Sequence, residues 1–161
     1  MRLLALLAVL LAGAHPWAAA AQTMRDCDRF EANARNTFGP YEQTIREFAN
    51  GAIRVIALDV GEPAAGGFHV MLTHPAPDDP YGLCTLVSDE TGLGFSGLDM
   101  AALTAVYDPA RGLTISLPVQ RLIGGETLVS ATLNLTVNQA TGRVTADLQS
   151  PLEVGQTGDG K

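Results

Sequence analysis

Residues 112–148 read GLTISLPVQRLIGGETLVSATLNLTVNQATGRVTADL. Leu113, Ile115, Leu117 and Val119 alternate with Thr114, Ser116, Pro118 and Gln120. Val129, Ala131, Leu133, Leu135 and Val137 alternate with Ser130, Thr132, Asn134 and Thr136, and Val144, Ala146 and Leu148 with Thr145 and Asp147. A side-chain period of two belongs to strands with one buried and one wet face. Two turns of the same design punctuate the region, Asp108-x-Ala110-x-Gly112 and Asn138-x-Ala140-x-Gly142. Asp or Asn opens a type I turn, and Gly supplies the positive φ that closes it. The segment therefore predicts an antiparallel meander.

Upstream, Asn50-Gly51 is a hairpin turn signal. Folded about it, Phe48 faces Ile53, Glu47 faces Arg54 and Ile45 faces Ile56. The rival is a helix from Pro40 that places Tyr41, Ile45 and Phe48 on one face. Residues 52–60 read as a strand apolar on both faces, which needs cover on both. Residues 68–73 and 83–88 are the next strands, with a Pro- and Asp-rich link over 75–82. Residues 99–107 fit a strand or a short helix. Residues 23–37 predict one N-terminal helix, from Cys27, Phe30 and Ala34 on one stripe and a Glu31–Arg35 pair. The fold expected is mainly β: a meander of seven or eight strands, as sandwich, curved sheet or small barrel, with that helix packed on it.

The first residues set the compartment. Met1-Arg2, an apolar run over 3–12, Pro16 and Ala19-Ala20-Ala21 have the layout of a secretory signal peptide over 1–21, cut between Ala21 and Gln22. The run is about ten residues, whereas a membrane span needs roughly 20. Residues 22–152 then form one globular domain, and 153–161 a disordered tail. Nine of the ten basic residues are Arg, which with the Ala and Gly content points to a GC-rich bacterial genome and a periplasmic or secreted address. Arg2 leaves with the leader, so nine basic residues face seventeen acidic ones. That balance repels nucleic acid and anionic lipid. Cys27 and Cys84 are the only cysteines. In an exported chain an even count predicts one disulfide, and the absence of Cys-x-x-Cys argues against redox catalysis.

Motifs for chemistry are weak. Gly92-x-Gly94-x-x-Gly97 matches the dinucleotide pattern but lacks the following helix and acidic partner, so it reads as a turn. Gly94-Phe95-Ser96-Gly97 misses the nucleophile-elbow spacing by one residue. His69 and His74 are five apart on a strand and point to opposite faces, which suits two sheet-surface histidines and no shared metal. Asp78, Asp79, Asp89, Glu90, Asp108 and Glu126 fall in expected turns without calcium-loop spacing. An outer-membrane barrel is disfavoured by few aromatics and a Gly-Asp-Gly-Lys end. No catalytic residue, metal or cofactor is expected. Ser130, Thr132, Asn134 and Thr136, with Thr114, Ser116 and Thr145, instead make an uncharged wet face suited to docking a protein or glycan. The expectation is a non-enzymatic periplasmic binding or envelope-accessory module, partnered with a periplasmic protein or envelope component and with no stable membrane insertion after cleavage. The alternatives are a barrel-type carrier of a small apolar ligand, with room left by Ala101, Ala102, Ala105 and Ala131, and, least supported, a carboxylate- or calcium-dependent enzyme.

Overall fold

The computed structural model describes residues 22–61 and 66–150. The expected leader and tail lie outside the described residues, as does Ala21, while Gln22 opens the described chain and is buried.

Among the described residues ten strands form two antiparallel sheets, with little helix, where seven or eight strands were expected. Sheet I contains β1 (Thr23–Asp26), β2 (Ile45–Phe48), β3 (Ile53–Asp59), β4 (Phe68–Ala76) and β5 (Asp79–Ser88), in the order β1-β5-β4-β3-β2. Sheet II contains β6 (Gly97–Leu98), β7 (Thr104–Asp108), β8 (Gly112–Ile123), β9 (Thr127–Asn138) and β10 (Arg143–Gln149). Its order is β10-β9-β8, and the far edge of β8 takes β7 along residues 112–116 and β6 along residues 119–120.

The hairpins carry the expected registers. Ile45↔Ile56, Glu47↔Arg54 and Phe48↔Ile53 pair across β2 and β3, around a turn in which Asn50 and Gly51 both have positive φ. The rival helix survives only as one turn, α1 (Tyr41–Thr44). Residues 99–107 resolve into a loop and β7. The link between β4 and β5 is shorter than expected. Pairing continues to Ala76↔Asp79, and a bulge between His74 and Ala76 accommodates Pro75. In β8, Gly112 has φ +111°, and a Cβ there would run into the Val137 carbonyl oxygen. Only glycine lets β8 leave its turn this close to β9.

The N-terminal helix over 23–37 does not form. Thr23–Asp26 is a strand, paired from Thr23↔Ser88 to Asp26↔Thr85. Two short 3-10 turns follow, Phe30–Ala32 and Ala34–Asn36. Phe30 is 57% exposed, so the stripe it belonged to has no face to bury. Asn36 is buried and donates to the carbonyls of Phe30 and Glu31, and the Asn33 side chain accepts from the Arg35 N–H. Side chains thus take backbone partners that a continuous helix would use. The expected Glu31–Arg35 pair is replaced. Glu31 lies 3.7 Å from Arg25, and the Arg35 guanidinium sits over the Phe30 ring.

The segment still covers the outer face of sheet I. Cys27 is bonded to Cys84, with Cα atoms 5.5 Å apart, and Thr37 bridges to Leu58. Beneath it Leu58, His69, Leu86 and Ser88 are buried. The inner face of sheet I supplies Ile53, Val55, Val70, Leu72 and Val87 to a core shared with Ile115, Leu117, Leu133, Leu135 and Val137 of sheet II. Each such burial stabilises by roughly 1.5–3 kcal/mol. Among the described residues no helix is long and apolar enough to cross a membrane.

The disulfide closes a sequence separation of 57 residues. Replacing Cys27 and Cys84 together by Ser is expected to lower stability by about 2–4 kcal/mol. Urea unfolding checks this, and an unchanged midpoint would show that the staple adds nothing to the packed segment.

Candidate functional site

Sheet II buries only one of its faces. Alternation along β8 and β9 turns Ile115, Leu117, Leu133 and Leu135 into the core, and strand registers align the other face into rows. One row runs Val106, Thr114, Thr136, Thr145 across β7, β8, β9 and β10. The next runs Thr104, Ser116, Asn134, Asp147, and a third Pro118, Thr132, Gln149. The rows enclose an open hollow of about 730 Å³, whose lining includes Thr114, Asn134, Thr136, Thr145, Asp147 and Gln149, with Val106, Tyr107, Asp108 and Arg111 at the β7 side.

Its polar groups are held by one another. Thr114 Oγ1 and Thr136 Oγ1 are 3.0 Å apart, Ser116 donates to Asn134 Oδ1 at 2.7 Å, and Gln149 Nε2 donates to Asp147 at 3.1 Å. Such prior bonding restricts rotamers before a ligand arrives. At the β7–β8 turn Asp108 accepts from the Ala110 N–H and from Arg111 Nε. Those bonds, the Ala110 N–H first, hold its carboxyl below the ordinary range. A carboxyl shifted that way is a poor general acid at neutral pH. The lining contains no His, Cys or Lys. The arrangement is suited to binding through neutral hydrogen bonds.

Of the four residues singled out from sequence, Asn134 and Thr136 line this hollow, and Thr132 lies on the same face in the third row. Ser130 lies beyond them and lines a second hollow of about 350 Å³ with Leu98, Pro118 and Gln120. Asp147, Gln149, Val106 and Arg111 were not singled out. The first two were legible as the wet alternates of β10, whereas Val106 and Arg111 reach the site only through the β7–β8 pairing. Of the alanines expected to leave internal room, Ala101 and Ala102 are exposed and Ala131 is packed in the core.

The acidic turn residues are dispersed. Asp89 is buried and caps its own loop through Thr91 and the Gly94 N–H, Glu90 pairs with Arg121, and Asp108 pairs with Arg111. Among the described residues no three His, Cys, Asp or Glu side chains gather in one cluster. His69 and His74 do take opposite faces of β4, but both are buried, which corrects their reading as surface residues. His74 faces Thr85 at 3.2 Å. His69 Nδ1 lies 2.8 Å from Ser88 Oγ, a pair that sequence spacing did not suggest. Arg25 can only donate, so Ser88 accepts from it at 2.9 Å and turns its own proton to His69. Ser88 is 0% exposed and His69 1%, so the pair is a sealed structural link rather than a nucleophile and base. No family model, curated protein or solved structure matches the chain.

Burial first, with Arg25 adding to it against Glu31 and Asp89, pushes the His69 pKa below its usual 6.5. Burial also lowers His74, opposed by the Pro75 carbonyl. A folded pKa below the unfolded one means the unfolded chain binds protons first. Stability is therefore expected to be full above about pH 6.5 and to fall as pH drops below it. Denaturant midpoints between pH 8 and pH 5 check this; a flat profile would contradict it.

Proposed function

We propose that this chain is an exported, non-enzymatic binding module, periplasmic or secreted, built as a two-sheet sandwich with its ligand seat on the open face of sheet II. The observation that carries the seat is the hollow itself. Sheet I has its outer face covered by the N-terminal segment, while sheet II presents rows of pre-bonded hydroxyl and amide groups in a concavity. A solvated sheet surface more often carries charged side chains that discourage adventitious pairing. Here the two central strands offer Thr114, Ser116, Thr132, Asn134 and Thr136 without one charge. The oxidised Cys27–Cys84 pair supports an oxidising compartment, as does the leader-like start of the sequence. An envelope component of that compartment is the natural partner.

Thr132→Arg with Thr136→Arg places two long cations in the rows. The purified wild-type and double variant are cross-linked in an extract of the source envelope and compared. A component captured by the wild type and lost by the variant, with both unfolding at the same temperature, is the expected result. Capture of identical components by both would remove the face as the seat.

A further inference from the structure

We propose that the hollow on sheet II is a seat for a neutral oligosaccharide. The proposal rests on the reading of this face as the ligand seat and names the ligand class. The hollow is about 730 Å³, within the range of roughly 300–1,000 Å³ of small-ligand sites. Its floor argues against a protein partner. Protein interfaces centre on aromatic, aliphatic or Arg anchors that become fully desolvated. Here the floor is Thr114, Asn134 and Thr136, and the apolar groups stand at one side only.

The hydrogen-bond chemistry matches a polyol. Hydroxyl groups both donate and accept, as sugar hydroxyls do. The Thr114–Thr136 bond commits one of two hydroxyl protons, so the pair still presents a donor and free lone pairs. Ser116 occupies Asn134 Oδ1, which directs the Asn134 NH2 group to a ligand acceptor. Asp147 adds a carboxylate acceptor, for which hydroxyl donors form the stronger, charge-assisted bonds. At the β7 side, Val106 shares the row of Thr114 and Thr136 and is 70% exposed, while Tyr107 alternates to the other face of β7. Val106 and the Pro109 ring supply apolar surface for the C–H face of a pyranose. One wall is therefore apolar and the floor polar, and a sugar ring has the same division between its C–H face and its hydroxyl edge.

Charge selects against anions. Arg111 is already matched by Asp108 at 3.2 Å, which leaves Asp147 as the unbalanced charge of the lining. An acidic polysaccharide would meet that carboxylate and the −7 net charge of the chain.

The test is a glycan array followed by calorimetry, with short neutral oligosaccharides of glucose, N-acetylglucosamine, xylose and mannose, and with sulfated and uronic counterparts. At least one neutral series is expected to bind and to outcompete the acidic ones. Thr136→Val, which keeps the side chain's shape, and Asn134→Ala should each weaken binding about five- to tenfold, and Val106→Asp, which removes the apolar wall, should weaken it at least as much. Tyr81 is 97% exposed on sheet I and does not line the hollow, so Tyr81→Ala should change nothing and controls for casual stacking. Preference for the acidic series overturns the proposal, as does loss of binding in Tyr81→Ala alone. If no neutral series binds while Thr132→Arg with Thr136→Arg still loses its envelope component, the ligand class is wrong and the seat stands. If neutral sugars bind wild type, Thr136→Val and Asn134→Ala alike, both readings fall.

Discussion

One apolar layer holds the molecule together. Val55, Val70, Leu72 and Val87 of sheet I meet Ile115, Leu117, Leu133 and Leu135 of sheet II, and all eight are fully buried. Each strand alternates, so committing one set of side chains to this layer commits the other set to the opposite face. The two outer faces then have different fates. On sheet I the outward set includes Leu58, Leu86 and His69, which water would not tolerate exposed together, and the N-terminal segment closes over them. On sheet II the outward set is Thr, Ser and Asn, and it stays open. The candidate site is the residue of that asymmetry.

The same asymmetry separates the polar groups of the two faces. Beneath the N-terminal segment, partly exposed Arg25 donates to buried Ser88, which donates to buried His69. Burial makes it costly to protonate and gives it a structural role. On sheet II the hydroxyl and amide groups are also bonded to one another, but each retains capacity toward solvent. A residue pair of catalytic type, His with Ser, lies where nothing reaches it, and the accessible hollow has no such pair. Accessibility, more than residue type, divides support from recognition in this fold.

Much of sheet II was legible because its cues are local. The Asp108 and Asn138 turns form as read, with the Asp108 and Asn138 side chains accepting from the Ala110 and Ala140 N–H groups. The β2–β3 register followed from one Asn-Gly dipeptide. The expected N-terminal helix does not form because its weak periodicity competes with partners across the sheet and with side-chain bonds of its own. Arg25 finds Leu86 across a strand pair, Cys27 finds Cys84, and Asn36 draws carbonyls to its own side chain. Asn134 and Thr136 were visible as a wet face, but nothing local says that Val106, Arg111 and Asp147 share their hollow.

By itself, the sequence determined a mainly β chain, the alternation and turns of its C-terminal meander, and the uncharged character of the wet face of β8 and β9. A period of two and an Asx-Gly turn are properties of neighbouring residues, so no distant contact is needed to express them. Tertiary structure alone decided that residues 23–26 are a strand on β5, that both histidines are buried, and which wet face remains uncovered. Those outcomes depend on pairing across about sixty residues and on which apolar surfaces must leave water together, and neither is written in any local stretch of the chain.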